Sequence, residues 1–202
     1  MDEETSTDDL LARAGEAIRD GEAVAYPTET VYGLGADARS PAAVERVFEV
    51  KGRSRDKPLS LGVPSVDAAL THTRPTERAE AFMREFLPGP VTVVVERGPD
   101  VPDALVAGRD RVGVRVPDHD LALALYREAA PAPVTATSAN LSGRPSVRRV
   151  ADLDQSVRDA VAVVLDGGET PGTESTVVDP EAGVIHRRGA IADDIEAWLA
   201  TY

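Results

Sequence analysis

The 202-residue chain contains no cysteine, one asparagine (Asn140), three histidines and only two lysines (Lys51 and Lys57). Without cysteine there are no disulfides, no thiolate metal sites and no cysteine nucleophile, and a reducing compartment fits. The histidines (His72, His119 and His186) are scattered, without metal-ligand spacing, and read as structural or exposed. Aromatic residues make up only 4% of the chain against 42% hydrophobic, so the core must consist mainly of alanine, valine and leucine. No apolar run approaches the length of a membrane span. The N-terminal "MDEETSTDDLL" lacks an apolar segment of the secretory kind, which makes the cytoplasm the expected location. No Gly-x-Ser-x-Gly elbow, P-loop or three-glycine dinucleotide fingerprint occurs.

The chain is instead rich in carboxylates. Thirty-five acidic against 22 basic residues give a formal charge of −13. Such a surface repels nucleic-acid backbone and disfavours broad RNA or DNA affinity. Acidic excess with lysine depletion also suits concentrated salt, where self-repulsion is screened, so a halophilic source is expected.

Strand and helix signals alternate along the chain. Ser6 or Thr7 caps a helix carrying Leu10, Leu11, Ala14, Ala17 and Ile18, which stops near Gly21. Ser40-Pro41 starts a second helix presenting Val44, Val47 and Phe48 and ending near Lys51-Gly52. Further helices are expected from Thr76 to Phe86, from Leu121 to Ala130 behind an Asp118 cap, and over about 192–202 with Ile195, Trp198 and Leu199. "EAVAYP", "PLSLGV", "VTVVVE", "RVGVRV", "APVTATS" and "AVAVVLD" read as strands, and "STVVD…GVIHRR" as a hairpin. "PTETVYGLGAD" reads as a turn, with Gly33 and Gly35 permitting close backbone approach. The pattern predicts one α/β domain over residues 1–202.

Two stretches carry chemistry. Lys51, Arg53, Arg55 and Lys57 form the densest cationic run of an acidic chain. It reads either as a phosphate site, where a compact ammonium differs from a planar guanidinium, or as a solvated helix end. "TATSANLSGRPS" gathers Thr135, Thr137, Ser138, Asn140, Ser142 and Ser146 after an apolar strand. It reads either as the rim of a ligand crevice or as turn chemistry.

Together "YPTETVYGLGADA", "KGRSRDKPL", "LPGPVTVVV", "VGVRVPDH", "TATSANLSGRPS", "ESTVVD" and "HRRGAI" resemble the YrdC/Sua5 family of threonylcarbamoyl-AMP synthases, in order and spacing, from about Gly21 to Ile191. The resemblance implies a YrdC-like fold, a curved mixed parallel and antiparallel sheet flanked by helices around a positively charged cavity. It implies that L-threonine, bicarbonate or CO2, and ATP with Mg2+ give threonylcarbamoyl-adenylate and pyrophosphate. The product would pass to a tRNA threonylcarbamoyl-transferase complex, of KEOPS type in archaea, with at most weak direct binding of tRNA. Sua5-type members carry a further C-terminal domain, so this chain resembles the short form.

By the same resemblance Thr30, Arg115, Ser175 and Thr176 would meet threonine. Lys51, Arg53, Lys57, Arg111, Ser138, Asn140, Ser146 and Arg187 would meet ATP, with Lys51, Arg53 and Lys57 carrying the catalytic charge. Many relatives have histidine where this chain has Gly62, and proline where it has Arg188, which leaves open whether Arg187 or Arg188 faces the ligand. The alternatives are an RNA-binding regulatory module, or a carbamoyl-transfer domain of the hydrogenase-maturation type.

Overall fold

The computed structural model describes residues 6–201. The Ser6 hydroxyl accepts the Asp9 N–H at 3.1 Å and caps α1 (Thr7–Arg19). After β1 (Val24–Tyr26) and β2 (Gly33–Gly35), Ser40 caps α2 (Pro41–Lys51), which ends on left-handed Gly52. Next come β3 (Ser60–Gly62), α3 (Val66–His72), α4 (Glu77–Phe86) capped by Thr76, and β4 (Val91–Glu96). The second half holds α5 (Asp103–Val106), β5 (Arg111–Arg115), α6 (Asp120–Ala129) and β6 (Val134–Ser138). It closes with α7 (Gln155–Ala160), β7 (Val163–Val164), β8 (Thr176–Asp179), β9 (Val184–Arg187) and α8 (Ala192–Thr201). Tyr202, the last position of the expected terminal helix, lies outside the described residues.

Among the described residues nine strands form one mixed sheet, in the order β7-β1-β2-β6-β3-β5-β4-β8-β9. β7–β1, β3–β5 and β4–β8 are parallel, and the other neighbours are antiparallel. The fold is a single α/β domain with helices against the sheet, as the alternation of signals predicts. Along β1 successive side chains go to opposite faces. Ala25 joins the main core, while Val24 and Tyr26 join a second cluster with Ala14 and Ile18 of α1 and Leu125 and Tyr126 of α6. The few large aromatics are concentrated. Trp198 of α8 meets Phe82 of α4 edge-on, with centroids 5.0 Å apart.

Three local expectations need correction. Within "PTETVYGLGAD", "GLG" is strand β2, not a turn, because its backbone pairs with β1 on one side and β6 on the other. Its first glycine is required by packing: a Cβ on Gly33 would lie 2.7 Å from Tyr26 Cζ. Asp118 does not cap α6. The cap residue is His119, without a side-chain bond, and the Asp118 N–H instead donates to Glu29 Oε1 at 3.0 Å. Finally, "AVAVVLD" supplies only the two-residue β7, since the Asp154 carboxylate caps a short helix that consumes Ala160.

Candidate active site

The sheet's two-residue rhythm builds the site. In β5, Val112 and Val114 enter the core while Arg111, Gly113 and Arg115 face a cleft. In β4, Val91, Val93 and Val95 are core, and Thr92 and Val94 line the same cleft. Ser60 of β3, Ser138 of β6, and Ser175 and Val177 at β8 continue that wall. The cleft measures about 680 Å³, within the range of small-molecule sites.

Its walls invert the charge of the molecule. Arg53, Lys57, Arg109, Arg111, Arg115 and Arg187 line it, against the carboxylates of Asp56 and Glu174. Arg53 donates from Nε to the Lys57 carbonyl and from Nη2 to the Pro58 carbonyl, both at 3.0 Å, which fixes the guanidinium against its own loop. Burial and then the Arg187 guanidinium lower the Arg53 pKa. An anion between these two cations would relieve their repulsion. Arg187 is held by Ser175, through its carbonyl and its hydroxyl, the latter at 2.9 Å. Arg188 points elsewhere, onto Asp193 and Glu196 of α8. Arg187 is therefore the cleft residue of the two.

At the other end lies Arg115, 7% exposed. Its Nη1 donates to the Gly89 carbonyl and, at 3.3 Å, to Val91, and its Nη2 to Glu29 Oε1 at 2.7 Å. An arginine has five N–H groups. Among the described residues, one on Nε and one on Nη2 have no protein acceptor, and that edge suits a carboxylate. Nearby, the Thr28 hydroxyl donates to the Val31 carbonyl at 2.7 Å and sits 2.9 Å from the Thr30 hydroxyl. Thr30 is thus the donor of that pair, and its oxygen keeps lone pairs for the cleft. Tyr26 and Tyr126 complete this end.

The expected residues divide into two groups. Thr30, Arg53, Lys57, Arg111, Arg115, Ser138, Ser146, Ser175 and Arg187 all reach the cleft. Lys51, Asn140 and Thr176 do not line it. Lys51 is 2% exposed, and its ammonium donates to the Ser138 carbonyl and, at 2.6 Å, to the Asn140 carbonyl, so it braces the loop after β6 from behind. Burial, then Arg53, lower its pKa to about 8. The Asn140 amide donates to the Leu141 and Arg144 carbonyls within that loop. Thr176 is fully buried, donating to the Ala190 carbonyl at 2.5 Å and accepting the Gly189 N–H. Arg111 reaches the cleft with its charge already met by Asp179 at 2.8 Å and Glu181 at 2.5 Å.

Sequence reasoning missed Thr28, Arg109, His186, Glu29 and the two tyrosines. The alternation of "RVGVR" was the available signal for a polar sheet face. Nothing in the sequence brings Tyr126 on α6 to β1. The side chain missing at Gly62 has its place filled, since a Cβ there would collide with the Tyr126 hydroxyl.

Fold and cleft define an α/β protein with a recessed cation-lined cavity on one sheet face. The family model described as "Telomere recombination" (Sua5_yciO_yrdC) matches residues 16–189. The chain belongs to that Sua5/YciO/YrdC family. It is similar to the threonylcarbamoyl-AMP synthase of Bacillus subtilis, 41% identical over 98% of this chain and 59% of that protein. It is also similar to that of Pyrococcus abyssi, at 44% over 80% and 48%. The P. abyssi Sua5 crystal structure in complex with L-threonine superposes with a TM-score of 0.84 at 36% identity, covering 95% of this chain and 57% of that one. The chain thus spans about half the length of the curated relatives it matches. Among the described residues no helix is long and apolar enough to cross a membrane.

Proposed function

We propose that this chain carries L-threonylcarbamoyladenylate synthase activity, a nucleotidyl transfer from ATP. The observation that carries the reading is one cleft with two unlike ends: an arginine edge open to a carboxylate, and a separate group of cations without enough carboxylates to neutralise them. Relatives named for this reaction, and a threonine complex in the same fold, support it.

In this reading Arg115 orients the threonine carboxylate, and the Thr30 oxygen accepts from the amine. The neutral amine nitrogen bonds to the carbon of CO2 with loss of a proton to water, or to the carbon of bicarbonate with loss of water, giving a carbamate. A carbamate oxygen then bonds to the α-phosphorus of ATP as the bond to pyrophosphate breaks. Charge builds on phosphate oxygens, so fixed cations are the principal requirement. Arg53, Lys57 and Arg187 supply them, with Ser138 and Ser146 at the nucleotide's edge. Lys51 acts on the nucleotide through the loop it holds, not by touching phosphate. Mg2+ arrives on ATP, bound by phosphate oxygens. The adenylate then serves N6-threonylcarbamoylation of adenosine 37 in tRNA, through a downstream cytoplasmic transferase complex, of KEOPS type in archaea.

The test is incubation with ATP, bicarbonate and L-threonine in molar salt, following pyrophosphate and the adenylate by mass. Equimolar, threonine-dependent release of both is expected. Absence of threonine-dependent pyrophosphate, together with a salt-sensitive tRNA mobility shift, would replace the enzyme by an RNA-binding module.

A further inference from the structure

Tyr26, at the end of β1, and Tyr126, within α6, are each 1% exposed and meet in the wall of the cleft. Their rings are edge-on with centroids 5.6 Å apart, and their hydroxyls are 2.7 Å apart. Two phenols bring two protons, and one is used in that mutual bond. Among the described residues neither oxygen has another hydrogen-bond partner. One buried O–H is therefore left without a protein acceptor, in a setting where tyrosine hydroxyls normally have one. Both phenols stay protonated: burial pushes Tyr26 up to about 12 and Tyr126 well above its ordinary value. The unshared group is a donor, never an anion. The backbone makes room for both rings, Gly33 for Tyr26 and Gly62 for Tyr126.

The donor lines the same cleft as Arg115 and feels its charge, and the open edge of Arg115 faces a carboxylate in the reading above, on which this inference rests. With the carboxylate on Arg115 and the amine on Thr30, one polar group of the amino acid remains. We propose that the Tyr26–Tyr126 pair is the specificity-determining donor of the amino-acid end, giving its unshared proton to the side-chain hydroxyl oxygen of the bound amino acid. A β-hydroxy amino acid satisfies the phenol. Valine has threonine's shape with a methyl in place of the hydroxyl, and leaves the phenol buried and unpaired. Sites that read a hydroxyl in this way reject the analogue lacking it far more strongly than an apolar pocket can reject a missing methylene.

The test measures binding of threonine and of valine by calorimetry, for wild type and for Tyr26→Phe, Tyr126→Phe and the double variant. Wild type is expected to prefer threonine by at least about thirtyfold. In the double variant the preference falls to about threefold or less, with ATP binding unchanged. If the double variant does not fold, the single variants decide, because the unshared proton belongs to one of the two oxygens. At least one of them must then lose most of the preference at a near wild-type melting temperature. Equal binding of threonine and valine to wild type, or an unchanged preference in folded variants, overturns the proposal. Pyrophosphate release is followed alongside. If threonine-dependent release occurs while the preference survives the substitutions, the tyrosine assignment falls alone. If the preference collapses but no release occurs, the synthase reading falls and the hydroxyl-reading pair stands.

Discussion

Replacing Glu29 by glutamine would test the amino-acid end at its buried ion pair. The Arg115–Glu29 pair is 2.7 Å long, with side chains only 8% and 16% exposed. Glutamine keeps an oxygen for the Arg115 and Asp118 N–H groups that Glu29 Oε1 now accepts, so the substitution removes charge and little else. Leaving one member of a buried pair uncompensated costs about 3–5 kcal/mol, and the retained acceptor places this case near the lower figure. For a chain of this size about 3 kcal/mol corresponds to a melting temperature lower by roughly 6–12 °C. Molar salt should rescue little of it, because a buried pair is poorly screened. Saturating L-threonine should rescue more. Its carboxylate would be the sole anion on Arg115 in the variant, whereas in wild type it must share the guanidinium with Glu29. Thermal unfolding with and without threonine should therefore show a larger ligand-induced rise in the variant, by about 1 kcal/mol of linkage. A melting temperature within 2 °C of wild type would refute the structural role of the pair. A large drop with the same threonine-induced rise as wild type would refute the placement of a carboxylate on Arg115.

The two lysines should behave differently from each other. Lys51→Arg forces a larger group into a slot that is 2% exposed, and should cost about 1–3 kcal/mol in thermal unfolding, while Lys57→Arg, on the exposed rim, should leave the melting temperature unchanged. Lys51→Met should raise the KM for ATP about tenfold or more by releasing the Ser138 and Asn140 carbonyls, and a wild-type KM would remove the bracing role. Lys51 also predicts a pH dependence. Its proton leaves the folded state near pH 8 but the unfolded chain only near 10.5, so the unfolded state binds more protons in that window and stability rises with pH across it. The full gap is worth roughly 3 kcal/mol, and Lys51→Met should abolish that slope in denaturant titrations between pH 8 and 10.5. Arg187→Ala should weaken nucleotide use about tenfold while Arg188→Ala leaves kinetics and melting at wild type, and equal losses in the two would contradict their opposite directions.

The five longer helices were legible because their signals are local, whereas the short α3, α5 and α7 were not anticipated. Ser6, Ser40-Pro41 and Thr76 each cap the helix that follows, and Gly52 stops α2. β2 was not legible, since "GLG" has no strand propensity of its own. Its conformation is imposed by β1 and β6 on either side, partners that lie far apart in sequence. The cationic run was legible as charge but not as direction. Lys51 lies four residues after Val47 and three after Phe48, and so falls on the buried face of α2. That spacing already separated it from Lys57, but an ammonium on an apolar stripe invites a reading as exposed. Of the cleft's arginines, Arg53, Arg111, Arg115 and Arg187 could be found by motif and Arg109 could not. The carboxylates that engage Arg111 and Arg115 could not, because Asp179, Glu181 and Glu29 meet them only through the order of strands in the sheet.

The alternation along β4 and β5 has a consequence for how this protein tolerates change. Each residue step along these strands crosses from the interior to the ligand wall and back, with no layer between. In a library covering every position, damage along residues 91–96 and 111–115 should fall into two interleaved sets. Substitutions at Val91, Val93, Val95, Val112 and Val114 should lower protein abundance. Those at Thr92, Val94, Arg111, Gly113 and Arg115 should spare abundance more and lower turnover. Adaptation of the pocket is thereby largely decoupled from the chemistry of folding, although the two share every peptide bond. The exceptions are Arg111 and Arg115, whose ion pairs with Asp179, Glu181 and Glu29 place them in both sets at once, and Gly113, where a Cβ would lie 2.6 Å from Ser60 Oγ.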